Sequence, residues 1–343
     1  MPHPASSPSP SPHWAALALL LATCVPPQLA ANPAGLDRGA LQRDVNAIAA
    51  RARPATIGVA VRDLATGDTW SLNGARRFPM QSVFKLALGA VVLATVDRGA
   101  LSLADTIRLT TADLSPPYSA ISARFPARTA YTVEELLVAA AGGSDNTAAD
   151  VLTARVGGPA AVTRWLEANG VSDLRVDRYE REFQMELSDM PPFRPEWRTD
   201  SAFLRALHLV PAERRRAAAA AYLADPRDTA TPIASVGFLE QLVLEHLLSP
   251  ASTARLLRIA TETTTGARRI RAGIPADATL AHKTGSARPD LGVTPAINDI
   301  GVVTFVDGRR VILAIYLAGS TLPYQQAESL LADVTRAVIA ALR

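Results

Sequence analysis

Apolar positions recur at helical spacing from Leu36 to Ala52, and this predicts an amphipathic helix early in the folded chain. The period then shortens. Thr56-Ile57-Gly58-Val59-Ala60-Val61 is a β-branched run, Ala65-Thr66-Gly67-Asp68 has turn chemistry, and Thr69–Leu72 resumes the run, so a hairpin is expected. Ser82–Val96 is nearly all apolar and helix-favouring. Val133–Ala141 and Ala148–Arg155 read as helices; Gly157-Gly158-Pro159 breaks the pattern, and Ala160–Asn169 starts it again. Residues 170–232 differ, being rich in Pro, Arg and acids, with one Ala/Arg-rich helical stretch at 212–224. Ser249–Thr263 is helical. Strand signals return at Ala278–Lys283, Asn298–Val306 and Val311–Leu317, and Gln325–Leu342 closes the chain as an amphipathic helix. Strands at both ends with helices between predict an α/β chain of the α+β kind. One antiparallel sheet is built from both termini and flanked by helices, with a helical lobe inserted. No internal repeat is visible.

The start of the chain reads as an export signal over residues 1–31. The apolar run Trp14–Leu21 is followed by small residues and ends near Leu29-Ala30-Ala31, and it is too short to span a bilayer. The expected location is therefore periplasmic or secreted, with no stable membrane span. Leu21-Ala22-Thr23-Cys24 faintly resembles a lipoprotein box, which leaves a lipid anchor on Cys24 as an alternative. Cys24 is the only cysteine, so cleavage near Ala31 would exclude intrachain disulfides, cysteine nucleophiles and thiolate metal sites. The five histidines show no metal-ligand spacing, and neither a metal nor an organic cofactor is expected. The formal charge of +3 is small for 343 residues and comes from scattered Arg. No Lys/Arg block marks a nucleic-acid surface, and Arg214-Arg215-Arg216, leading into an Ala run, reads as a solvated helix face. No long exposed apolar stripe stands out, so a monomer is expected.

Three short motifs carry the chemistry. Ser82-Val83-Phe84-Lys85 is S-x-x-K; on a helix the two ends share a face, so Lys85 can reach the Ser82 hydroxyl. A serine hydroxyl is a weak nucleophile until a neighbouring base takes its proton, and a helix N-terminus adds free N–H groups and a positive dipole end. Ser144-Asp145-Asn146 follows, sixty-two residues after Ser82. Ser144 is placed to pass a proton to a leaving nitrogen, and Asn146 to donate to a substrate amide. Lys283-Thr284-Gly285 lies on a predicted strand, where Gly lets the backbone approach a ligand. Each motif alone is weak. The three in this order form the set known for class A β-lactamases and penicillin-binding proteins.

From about residue 40 to the C-terminus the chain resembles the class A serine β-lactamases, closest in feel to the extended-spectrum subgroup, to which Ala296-Ile297-Asn298-Asp299-Ile300-Gly301 is similar. Phe78-Pro79-Met80 before the nucleophile, Thr132-Val133 before the second motif and Gly157-Gly158-Pro159 after it all fit. Asp177-Arg178-Tyr179-Glu180 resembles the omega-loop segment, with Glu180 thirty-six residues after Ser144 and no gap needed. The resemblance implies that Ser82, Lys85, Ser144, Glu180 and Lys283 are catalytic. It implies substrate contacts from Tyr118, Asn146, Thr284, Gly285, Ser286 and Arg269. Tyr118 would stand at the cleft mouth, and Arg269 would support substrate-carboxylate binding together with the Thr284 and Ser286 hydroxyls. Arg178 and Asp228 match the ion pair that closes the omega loop. His282 is read as a strand side chain.

The implied reaction is two-step acyl transfer to a small-molecule β-lactam. Ser82 attacks, with Lys85 or a Glu180-held water as base. The backbone N–H groups of Ser82 and Ser286 hold the oxyanion, Ser144 protonates the leaving nitrogen with Lys283 beside it, and Glu180 activates the water that frees the acyl group. Glu182, two residues on, competes for the role of base. The implied arrangement is one catalytic domain over 32–343: an α/β lobe from 32–78 and 260–343, and a helical lobe from 79–259. Two departures stand out. Gln184 occupies the place of the family's usual Asn four residues after the base. Between Glu180 and Asp228 lie roughly thirty extra residues, an omega-loop insertion at about 185–226, and loops that long in a compact domain are usually functional or disordered. Two other functions share the three motifs: a D-Ala-D-Ala peptidase, and a sensor acylated without turnover.

Overall fold

The expected hairpin forms the outer edge of a five-stranded antiparallel sheet. A computed structural model describes residues 35–342; the expected signal at 1–31 and Cys24 lie outside the described residues. The strands are β1 (Thr56–Asp63), β2 (Thr69–Leu72), β3 (Thr279–Ser286), β4 (Thr294–Thr304) and β5 (Arg310–Ser320), in the order β2-β1-β5-β4-β3. β5 pairs with β1 through Thr56↔Ala318 to Asp63↔Val311, so the two ends of the chain meet in the middle of the sheet. Its apolar run is continuous because both faces are covered. Val311, Leu313, Ile315 and Leu317 point to one side, Ile312, Ala314 and Tyr316 to the other.

On the first side lie α1 (Arg38–Ala52) and the C-terminal helix Tyr324–Ala341, burying Leu41, Val45 and Ile48 with Leu331, Val334 and Val338. Asp37 caps α1 by accepting from the Ala40 amide at 3.0 Å. On the other side the helical lobe is centred on α2 (Phe84–Asp97). Every residue from Phe84 to Ala94 is buried, which its all-round apolar sequence requires. The same lobe holds α3 (Asn146–Arg155), α4 (Glu180–Glu186), α5 (Asp200–His208), α6 (Ala212–Ala224), α7 (Pro232–Val243) and α8 (Pro250–Thr261).

Four local features depart from the sequence reading. Ser82 sits in a short 3-10 turn, Gln81–Val83, that feeds α2. The predicted helix at 133–141 is α-helical only to Leu137; Val138–Gly142 widens into a π-turn that delivers Ser144. α7 was not anticipated, although Thr231 caps it and Pro232 opens it. The Arg214–Arg216 run is only partly a solvated face: Arg215 is buried, pairing with Asp290 at 2.5 Å and donating to the Val210 carbonyl, because α6 leans on the loop after β3.

The insertion is folded. Besides α5 and α6 it has a core of its own, Met185, Met190, Phe203, Leu207 and Val210, separate from the two main clusters.

Candidate active site

Three secondary-structure ends converge at one edge of the sheet. The turn before α2 carries Ser82 and the first turn of α2 carries Lys85, the turn before α3 carries Ser144 and α3 opens on Asn146, and edge strand β3 carries Lys283, Thr284 and Gly285. Gly285 is where β3 closes on the nucleophile turn, and a Cβ there would stand 2.1 Å from the Met80 carbonyl oxygen. Asn298 on β4 secures the same turn, donating to the carbonyls of Pro79 at 2.8 Å and Met80 at 3.1 Å. Asp145 braces the second motif by capping α3 at the Ala148 amide (2.9 Å) and by accepting from the Ser119 hydroxyl and the Ile121 amide. Ser144 itself takes φ +60°, a left-handed backbone that a serine adopts only when its surroundings hold it there.

Lys85 is fully buried at the centre. Its Nζ lies 3.0 Å from Ser82 Oγ, 2.9 Å from the Ser144 carbonyl, 2.5 Å from Asn146 Oδ1 and 2.8 Å from Glu180 Oε1. Lys283 Nζ donates to Ser144 Oγ at 2.9 Å and to the Thr284 carbonyl at 3.0 Å. Burial, with the Lys85 charge nearby, holds the Lys283 amine well below the usual lysine range.

Glu180 opens α4 and is as buried as Lys85. Its amide donates to Asp150 Oδ1 at 2.7 Å, and the Arg181 amide donates to Asp150 Oδ2 at 3.1 Å, so Asp150 on α3 anchors the start of α4. Glu182 is exposed and turns back to accept from the Tyr179 amide at 2.9 Å, a capping contact. Gln184 donates to Glu180 Oε2 at 3.0 Å. Arg178 meets Asp228 at 2.6 Å, as expected, and also pairs with Asp225 at 3.2 Å and with Glu186. The Asp228 carbonyl accepts from the Met80 amide at 3.0 Å, so the base of the omega loop also holds the nucleophile turn.

A model of the beta-lactamase enzyme family matches residues 40–342. The beta-lactamase VEB-1 of Pseudomonas aeruginosa is 29% identical over 83% of this chain and 85% of its own length. The carbapenem-hydrolyzing beta-lactamase KPC of Klebsiella oxytoca is 31% identical, covering 84% of each. The solved structure of a reconstructed class A beta-lactamase, the last common ancestor of Gram-negative bacteria, superposes with a TM-score of 0.71 at 34% identity, over 88% of this chain and 99% of that one. The chain belongs to the class A β-lactamases. Hydrolysis of the β-lactam amide through a serine acyl-enzyme is the reaction of this family.

The cleft of this β-lactamase has a volume of about 1200 Å³. Ser82, Ser144, Asn146, Thr284 and Ser286 line its floor. Tyr118 stands at its edge, 60% exposed. Arg269 is buried and fully engaged, donating to Ser286 Oγ at 2.6 Å, to the Asn298 carbonyl at 2.7 Å and to Glu328 at 3.0 Å. The Thr284 hydroxyl pairs with Thr265 at 2.9 Å and not with Arg269. His282 is buried against Asp299 at 2.8 Å, a strand side chain as read. A further wall comes from the insertion: Leu187, Phe203, Leu207, Arg216, Ala219 and Leu223 face the cleft. Sequence reasoning missed Asp150, Asn298 and Gln81. Asp150 carried a signal, an acid one helical turn after Asn146 and so on the same helix face. The other two carried none.

Proposed function

We propose that Ser82 is the nucleophile of this β-lactamase and that Glu180 is the base of deacylation. The observation that carries the reading is the Lys85 ammonium, which touches both the Ser82 hydroxyl and the Glu180 carboxylate in one buried cluster. Four acceptors surround a group with three protons. Passing one to Glu180 leaves a neutral amine able to accept the Ser82 proton, while a Glu180-held water offers the second route to the same end. The backbone N–H groups of Ser82 and Ser286 hold the oxyanion, and one such donor contributes about 3 kcal/mol to lowering the barrier.

Ser144 then protonates the leaving nitrogen. Lys283 already donates to its oxygen, so the Ser144 proton is the one turned outward. Asn146 spends one amide proton on the Pro116 carbonyl at 3.1 Å and keeps the other for the substrate amide. Arg269, matched by Glu328, acts on the substrate carboxylate through Ser286: it bonds the hydroxyl oxygen and leaves the hydroxyl proton to be donated. Thr284 and Gly285 shape the β3 side, and Tyr118 borders the mouth. Glu180 finally aims water at the ester. Its burial and its contacts to Lys85 and Gln184 favour it over the exposed Glu182. The insertion forms the further wall and selects among lactam side chains.

Residues 1–31 direct export, the mature enzyme works as a monomer in the periplasm or outside the cell, and no part of it spans the membrane. Among the described residues no helix is long and apolar enough to do so. The catalytic domain is 32–343, divided into the two lobes given above.

Purified mature protein incubated with a chromogenic cephalosporin tests the reading. Continued colour release with the protein returning to its native mass is expected. A single stoichiometric mass adduct without turnover would contradict it and favour the peptidase or sensor.

A further inference from the structure

The insertion reaches past the cleft wall to the catalytic carboxylate. Tyr222 on α6 is buried while its neighbours Ala221 and Leu223 are exposed. Its phenol oxygen accepts from Gln81 Nε2 at 2.5 Å. Gln81, the residue before Ser82, accepts at Oε1 from Gln184 Nε2 at 3.2 Å. That same Gln184 nitrogen donates to Glu180 Oε2 at 3.0 Å. A chain of side chains therefore runs from the insertion to Glu180.

Its direction is fixed from the carboxylate end. An ionised carboxylate only accepts, so Gln184 must turn its NH2 group toward Glu180, and its second proton goes to Gln81 Oε1. Gln81 must then present its own NH2 to the Tyr222 oxygen. Flipping any amide brings two donors or two acceptors face to face, and with Gln81, Glu180 and Tyr222 buried and Gln184 half-buried an unmatched polar atom there is costly. Gln81 also sits at φ +49°, a strained backbone that needs outside support. The two Glu180 oxygens are held by separate parties, Oε1 by Lys85 and Oε2 by this chain.

We propose that Tyr222 is a positioning residue for deacylation: through Gln81 and Gln184 it fixes the orientation of the Glu180 carboxylate, so the insertion contributes to ester hydrolysis and not only to the shape of the cleft. The proposal rests on Glu180 being the deacylation base.

Tyr222→Phe removes the acceptor and keeps the ring. The expected result is a kcat lower by about ten-fold, KM falling with it, and kcat/KM within about two-fold of the native value. Intact-protein mass measured during turnover should show the acyl-enzyme accumulating. Gln81→Met, which cuts the chain at its middle, should give the same pattern, and the double variant should be no slower than either single one. If Tyr222→Phe does not fold, Gln81→Met decides alone. Equal losses in kcat and kcat/KM, or native values for both, would overturn the proposal. Glu180→Gln separates the two claims. If Glu180→Gln stalls as an adduct while the other variants deacylate at the native rate, only the relay is wrong. If Glu180→Gln turns over freely, the assignment of the base fails and the relay with it.

Discussion

The two walls of the cleft are held by different means. On the sheet side, β3 is locked into a five-stranded sheet whose faces bury two large apolar clusters. On the insertion side, Phe203 and Leu207 of α5 pack with Met185, Met190 and Val210 in a core of five buried residues, and α5 and α6 lean on the loop after β3 through ion pairs, Arg215–Asp290 at 2.5 Å and Arg288–Asp200 at 2.7 Å. Exposed pairs such as Arg288–Asp200 contribute about 0–1 kcal/mol, whereas a large core side chain contributes about 2–5 kcal/mol. Rigidity is thus concentrated where Ser82, Ser144 and Lys283 must keep their spacing. The insertion side is expected to open locally at lower cost than the sheet side, as hydrogen exchange would show. Where the insertion touches the chemistry, it does so through a buried aromatic, Tyr222, and not through its surface charges.

Four changes sharpen this contrast. The largest effect is expected from Gly285→Ala, because the new Cβ would meet backbone, the Met80 carbonyl at 2.1 Å, and not a yielding side chain. A shift of about 1 Å between β3 and the nucleophile turn should lower kcat/KM by about 100-fold, read in steady-state kinetics. Next come two core truncations. Leu313→Ala in the fully buried sheet core should lower global stability by about 3–4 kcal/mol in denaturant unfolding. Phe203→Ala should instead release hydrogen-exchange protection in residues 187–224 and leave the β5 amides protected. Loss of β5 protection in Phe203→Ala would show that the insertion and the frame unfold as one unit.

The last change concerns Asp150. Burial pushes its carboxyl up to about 6, against the lowering pull of Arg181 and Ser115. Above its unfolded value the native state then holds the proton more tightly than the unfolded chain. This group's contribution to stability therefore falls as pH rises from about 4 to 6, by about 2–3 kcal/mol at most. Asp150→Asn lacks that slope. Melts at pH 4.5 and 7.5 should show the variant gaining on the native protein at the higher pH, and parallel curves would refute the assignment.

Much of this was legible in the sequence, for identifiable reasons. The strands and the helices at 38–52, 84–97, 146–155 and 212–224 follow from local periodicity, and the three motifs lie on those elements or directly before them. The Arg178–Asp228 pair was readable from the resemblance despite the insertion between its members. What was missed depends on contacts far apart in sequence: Gln81 with Tyr222, Asn298 with Pro79, Glu180 with Asp150. No local pattern marks such partners. The choice between Glu180 and Glu182 turns on which acid faces inward at the first turn of a short helix, and periodicity does not resolve that over two residues. α7 was overlooked because its Thr231-Pro232 start follows directly on the irregular 170–232 stretch.

The most direct test of the central claim is a peptide-mapped mass measurement on Glu180→Gln mixed with a chromogenic cephalosporin. The account requires one acyl adduct per protein, located on the peptide containing Ser82, persisting long after the native enzyme has returned to its free mass. Rapid clearance of that adduct, or its appearance on another residue, would contradict the claim that Glu180 drives water onto a Ser82 ester.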